Sequence, residues 1–244
     1  MQKKLIALAV AGLVSAPAFA QSNVTIYGVA DAYMGFGSHG DNDMAAVNSG
    51  GLSGSRLGFR GTEDLGNGLK AVFTLEQGFN IDTGTEATDG TAFQRQAFVG
   101  VAGGFGAVTL GRQYAPGYDF QYDVTASAPI GPQFILSTGA GMTITPNNGA
   151  RWDNSVAYNG SFSGLKVRAI YGMGNNEDSY EVPTLAGTKL MDPSDDDRFG
   201  LGVEYANGPL KVGAVYHYLT DPAEIAGASD DQQEWLVGGS YNFG

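Results

Sequence analysis

The sequence predicts an all-β chain that crosses a membrane as an antiparallel β-barrel, on three observations. Ten segments alternate apolar and polar residues with a period of two, and helical spacing fits none of them as well. Short Gly/Asn-rich turns alternate with long links along the chain, the layout of a barrel with short turns at one end and long loops at the other. The basic residues of the strands, Arg112 near its strand's end excepted, fall on the polar faces, away from mid-strand Leu, Val and Phe. A basic residue at a lipid-facing midplane would cost roughly 2–4 kcal/mol.

The segments run in order as follows. Val24–Tyr33 sets Val24, Ile26, Ala30 and Ala32 against Thr25, Tyr27 and Asp31; Ser55–Glu63 sets Leu57 and Phe59 against Arg56, Gly58 and Arg60. Leu69–Gly78 opposes Leu69, Ala71, Phe73 and Leu75 to Lys70, Thr74 and Glu76. Phe93–Val101 carries Arg95, and Ala107–Tyr114 leads into the longest connection. Arg151–Tyr158 opposes Trp152, Val156 and Tyr158 to Arg151, Asp153 and Ser155, and Leu165–Met173 opposes Val167, Ala169 and Tyr171 to Lys166 and Arg168. Arg198–Tyr205, Leu210–Leu219 and Glu234–Phe243 close the series. Asp64–Gly68, Ala102–Phe105, Asn159–Gly164 and Ala206–Pro209 read as tight turns. Gly37–Gly54, Asn80–Ala92, Ala115–Gly149, Gly174–Asp197 and Thr220–Gln233 read as long links.

Composition bounds the function. The 244 residues hold no cysteine, 38 glycines and a formal net charge of −12. An acidic chain without a basic patch is a poor partner for nucleic acid. Residues 1–20 read as a cleaved export signal: Lys3 and Lys4, an apolar Leu5–Val14, then Ala18-Phe19-Ala20. Residues 21–244 are then the barrel domain. Nine basic residues lie on polar strand faces: Arg56, Arg60, Lys70, Arg95, Arg151, Lys166, Arg168, Arg198 and Lys211. The acids found there are Asp31, Glu76, Asp153, Glu204 and Glu234, and the rest occupy loops and turns. A basic interior behind an acidic rim is expected. Tyr216, Tyr218, Tyr241, Phe243, Trp152, Tyr158, Tyr171, Tyr205 and Trp235 fall near strand ends on the apolar side, where membrane-interface girdles belong.

Ala115–Gly149 needs its own explanation. A compact domain rarely keeps so long a connection without a job for it. After Asp119 and Asp123 it is almost uncharged and rich in Gly, Ala, Thr and Pro. It is expected to fold into the barrel and narrow it.

Several stretches carry a family resemblance. Ser55-Arg56-Leu57-Gly58-Phe59-Arg60-Gly61-Thr62-Glu63-Asp64-Leu65-Gly66 resembles the second-strand signature of Gram-negative general porins. Gly106-Ala107-Val108-Thr109-Leu110-Gly111-Arg112-Gln113-Tyr114 resembles the strand before that family's third loop. Val24–Asp31 and Arg95–Gly100 match as well, and the similarity is strongest to the subgroup typical of Neisseria- and Burkholderia-like bacteria. The resemblance implies a sixteen-stranded, trimeric outer-membrane barrel with an inward third loop, in contact with lipid and lipopolysaccharide. It implies passive diffusion of small hydrophilic solutes and ions, with no cofactor. The ten segments and the ending at Asn242-Phe243-Gly244 are fewer strands than the family has, so the chain is expected to be a partial barrel, open between its first and last strands.

By position in these motifs, Arg56, Arg95 and Arg151 resemble the wall arginines that face the third loop, with Asp119 and Asp123 as opposing acids. Arg112 is a fourth, although alternation puts it on the wrong face unless the strand twists or bulges at Gly111. Arg60, Lys70, Glu76, Lys166, Arg168 and Lys211 are pore-lining candidates. The bland alternative is that each arginine neutralises a neighbouring carboxylate and the loop acids are simply solvated. Facing charges across a wet gap give a transverse field that favours small charged or dipolar solutes. The strand-face census predicts a mildly anion-preferring constriction behind an acidic mouth. An outer-membrane barrel enzyme or adhesin is the alternative, but only His39 and His217 are present and there is no Gly-x-Ser-x-Gly elbow. Asp192, Asp195, Asp196 and Asp197 lack EF-hand spacing and read as a solvated run rather than a metal site.

Overall fold

The computed structural model describes residues 23–40, 42–120, 144, 151–174, 197–220 and 231–244. Among them are twelve strands and one helical turn. The strands are β1 (Asn23–Val29), β2 (Ala32–His39), β3 (Asn42–Ser49), β4 (Arg56–Gly66), β5 (Leu69–Gly78) and β6 (Gln96–Gly103). They continue with β7 (Gly106–Tyr114), β8 (Arg151–Phe162), β9 (Leu165–Gly172), β10 (Arg198–Asn207), β11 (Leu210–Leu219) and β12 (Gln232–Tyr241). The turn, α1, is Pro116–Asp119. Ten strands form one antiparallel sheet in the order β1-β4-β5-β6-β7-β8-β9-β10-β11-β12. From β4 onward each strand pairs with the next in sequence, across short turns and long links in alternation, while β1 pairs with β4. At Ser163-Gly164, for example, φ is 47° and 89°, the left-handed pair that a two-residue hairpin turn demands.

The sheet has two unlike faces, and cross-strand partners assign each residue to one of them. One face carries Val24, Ile26, Val99, Leu110, Val156, Leu201, Val203 and Val237, all exposed, with Ile26 at 67% and Val237 at 82%. A bare aliphatic band of this extent is untenable in water and natural against hydrocarbon. The other face carries Arg56, Glu76, Arg168, Glu204, His217 and Glu234, and residues 115–120 lie across its β8–β11 part. β1 and β12 are the sheet's edges, and among the described residues no ladder joins them.

Five expectations need correction. The first segment does not run unbroken to Tyr33, and Gly37–Gly54 is not simply a link: β2 and β3 form a separate two-stranded ribbon. The break lies at Asp31, which is not a lumenal strand residue. Its carboxylate accepts the backbone N–H groups of Gly51, Leu52 and Ser53 at 2.9–3.0 Å and bends the chain there. The fourth segment pairs from Gln96 to Gly103 rather than from Phe93 to Val101. Finally, Trp152 is no girdle residue: it is 1% exposed, on the loop side. β8 has one residue more than β7 between the partners Gly111↔Ser155 and Gln113↔Trp152, and Asn154 takes φ 44°. That bulge rotates Trp152 onto the face of Ser155.

The remaining aromatics of the expected girdle keep the bare side. Tyr171, Tyr205, Trp235 and Tyr241 are exposed there, and Tyr216 lies tilted against Trp235 with ring centroids 4.4 Å apart.

Candidate pore constriction

The candidate site begins with one acid. Glu76 projects from β5 opposite Gly58, and the Tyr27 ring occupies the space a side chain at Gly58 would need. The Tyr27 hydroxyl donates to Glu76 Oε2 at 2.9 Å. Arg95 precedes the first paired residue of β6, so strand alternation does not govern it; its Nε donates to Glu76 Oε1 at 2.7 Å. Arg56, the first residue of β4, brings its Nε to 3.9 Å from Oε2 and donates from Nη1 to Ser53 Oγ and Gly54 O at 2.9 Å. Glu76 is thus shared by two arginines and a phenol.

The next link is Tyr114, at the end of β7. Its hydroxyl oxygen accepts Arg151 Nη2 at 2.6 Å and Arg95 Nη2 at 3.2 Å. The Arg151 guanidinium also lies over the Tyr114 ring, 4.4 Å from its centre. Tyr118 of α1 stacks on Tyr114 with centroids 3.7 Å apart and planes within 9°. Burial, and then its nearness to Tyr114, pushes the Tyr118 hydroxyl up to about 12, so it stays neutral. Arg56, Arg95 and Arg151 form one row, tied by Glu76 and Tyr114.

Arg112 joins the row through the irregularity at Gly111. The β7/β8 register shifts between Gly111 and Gln113, with Gly111 at φ 127°. Ser155 Oγ donates to Gly111 O at 2.6 Å and holds the distortion. Arg112 then reaches Asp153 Oδ1 at 2.5 Å and donates from Nε to Gln94 O at 2.6 Å. A cleft of ≈ 530 Å³ is bordered by Arg95, Arg112, Arg151 and Asp153, with Ser49, Thr88 and Thr91 also on its wall.

Asp119 is elsewhere. It pairs with Arg168, with Lys166 Nζ at 3.9 Å, and not with Arg56, Arg95 or Arg151. Successive residues of a helical turn point about 100° apart, so when Tyr118 faces Tyr114 its neighbour turns toward β9. Arg168 also donates from Nη2 to Tyr114 O at 2.5 Å. Asp123, like Asp192, Asp195 and Asp196, lies outside the described residues. Of the other lining candidates, Lys211 pairs with Glu204 at 3.1 Å, Arg60 lies 5.2 Å from the Tyr27 ring centre, and Lys70 is exposed opposite Asp64. Sequence reasoning passed over Tyr114, Tyr118 and the central place of Glu76. An acid on a basic strand face was the available signal for Glu76; nothing in the local pattern marks the tyrosines.

A family model described as Gram-negative porin matches residues 7–244. The chain belongs to the Gram-negative porin family. An outer membrane porin protein of Bordetella pertussis is 33% identical over 264 residues, covering 100% of this chain and 66% of the relative. Outer membrane porin protein 32 of Delftia acidovorans is 36% identical over 250 residues, covering 100% and 67%. The structure of an anion-selective porin from Comamonas acidovorans matches with a TM-score of 0.69 at 31% identity, over 91% of this chain and 64% of that one. A Salmonella typhi OmpF structure, at TM-score 0.58 and 19% identity, shows likeness of fold alone. The chain therefore spans about two thirds of the length of these porins. The ten-stranded sheet is porin barrel wall in the outer membrane.

Proposed function

We propose that this porin forms a water-filled channel for passive diffusion of small hydrophilic solutes and ions, narrowed beside the third loop where Arg95, Arg112 and Arg151 border the cleft and Arg56 adjoins them through Glu76. The row Arg56–Glu76–Arg95–Tyr114–Arg151 carries the reading. Four guanidiniums there meet two carboxylates, Glu76 and Asp153, which leaves local positive charge in an acidic chain. Loop charges beyond a Debye length, roughly 8 Å at physiological salt, are screened. Charges between low-dielectric walls keep their field. The constriction therefore mildly prefers anions behind an acidic mouth, and the similarity to the anion-selective porin from Comamonas acidovorans supports the sign. Asp119 neutralises wall cations on β9 rather than opposing the row. The working unit is a homotrimer seated among lipid and lipopolysaccharide, delivered by a signal in residues 1–20. No covalent chemistry is needed. His217 is fully buried beneath the loop, which counts against a catalytic role for it.

Reversal potentials in a KCl gradient across planar bilayers test the proposal. Replacing Arg56, Arg95 and Arg151 with serine should shift preference toward cations. A cation preference in the parent that those replacements leave unchanged overturns it.

A further inference from the structure

We propose that Gly202, with Gly200 beside it, sets how far the third loop stands into the lumen, and through it the width and charge of the passage. The inference rests on the constriction proposed above. Gly200 and Gly202 fall on the lumenal face of β10, between Arg198 and Glu204. Neither has a positive φ, so the backbone does not demand glycine there. Glycine inside a strand weakens it unless another chain segment must approach closely. Such a segment is present. A Cβ at Gly202 would stand 2.5 Å from Phe120 Cε2, and one at Gly200 would stand 3.0 Å from Pro116 Cδ.

The two glycines thus form a notch that receives both ends of α1. Phe120 is fully buried in it, clustered with Ile144 and Val215. The contact is transmitted onward. Tyr118, between Pro116 and Phe120, is the residue stacked on Tyr114, whose hydroxyl oxygen takes Arg95 and Arg151. A methyl group in the notch lifts Phe120 off the wall, moves Tyr118 with it and disturbs the two guanidiniums. The seat and the arginine row are therefore one mechanical unit, and Gly202 is a positioning residue that touches no solute.

Single-channel conductance and reversal potential in planar bilayers test this on the full chain. Gly202→Ala should lower conductance roughly twofold, because passage depends steeply on pore diameter. Phe120→Leu, which shortens the side chain in the seat without crowding it, should raise conductance and remains informative if Gly202→Ala does not fold. Gly202→Ala combined with Phe120→Leu should return conductance toward the parent value, a rescue that mere destabilisation does not produce. Folded Phe120→Leu protein with parental conductance and reversal potential overturns the proposal. So does a folded double variant no closer to the parent than Gly202→Ala alone. If the serine replacements of the arginines still shift selectivity in that experiment, only the glycine seat has failed. If they too are silent, the constriction itself was misplaced.

Discussion

Glu76 holds Arg95 by a 2.7 Å bond from the arginine Nε while itself only 4% exposed, so the best-shielded acid of the row lies beside its central cation. In the proposed constriction that acid would subtract from the positive field of the arginines. Glu76→Gln keeps the shape and removes the charge. Anion preference, read from reversal potentials, should increase. Stability to urea should fall by roughly 1–3 kcal/mol, since Arg95 loses a charged acceptor in a shielded place.

Tyr114→Phe isolates the second link. The ring remains for Tyr118 to stack on and for Arg151 to lie over, but the acceptor common to Arg95 and Arg151 is gone. The expected loss is about 1 kcal/mol. The stronger signature is electrical: two less restrained guanidiniums should broaden open-channel current noise. Unchanged noise and urea midpoint would show that the hydroxyl does not hold the pair.

Gly111→Ala attacks the irregularity that admits Arg112. A Cβ there would stand 2.2 Å from Ala97 O, at a φ of 127°. Left-handed strain and the overlap together should cost roughly 1–3 kcal/mol. The strand can escape by relaxing toward regular alternation, which turns Arg112 away from Asp153 and the cleft. The expected readouts are a lower urea midpoint and a weakened anion preference.

How much of this was legible in the chain follows from periodicity. In β9–β12 the period of two is unbroken, so Lys166, Arg168, Glu204 and Lys211 share the loop-side face of the sheet, as alternation predicts. Alternation fails where the register slips. The extra residue at Asn154 moves Trp152 from the expected girdle into the interior, and the two-fold pattern holds no signal for it. β2 and β3 were hidden because Gly35, Gly37 and Ala45-Ala46 blur any contrast between faces. At the candidate site, motif position named Arg56, Arg95, Arg112 and Arg151, but contacts across long sequence separations decide which partners they take. Tyr114 meets Arg151 only because the connection between β7 and β8 returns the chain beside its own start.

Asp31 gives a pH dependence with a definite sign. Hydrogen bonds from the backbone N–H groups of Ser53, Leu52 and Gly51 favour its charged form and hold it below the ordinary carboxylate range. A depressed acid contributes stability that is fully present above its unfolded value and is lost as pH falls through the folded one. The turn at residues 51–53 should therefore loosen only below the ordinary carboxylate range. Amide exchange of Gly51, Leu52 and Ser53 should be protected near neutrality and rise in acid. In Asp31→Asn that acid-dependent rise should vanish. A variant that retains it would place the titrating group elsewhere.

Asp119 separates two pictures of the third loop. If it opposes the arginine row, it should couple energetically to Arg95; if it clamps α1 to the wall, it should couple to Arg168. The structure pairs it with Arg168, whose Nη2 also donates to Tyr114 O at 2.5 Å, so a single guanidinium grips the loop on both sides of Pro116. The pair is mostly shielded, at 10% and 25% side-chain exposure, which keeps the interaction above the value of a surface ion pair. A double-mutant cycle of Asp119→Asn with Arg168→Met should give a coupling of about 1 kcal/mol or more in urea unfolding. The matching cycle with Arg95→Met should give a coupling near zero, because the two side chains share no partner. Coupling to Arg95 instead of Arg168 would reverse the assignment and return Asp119 to the mouth of the constriction.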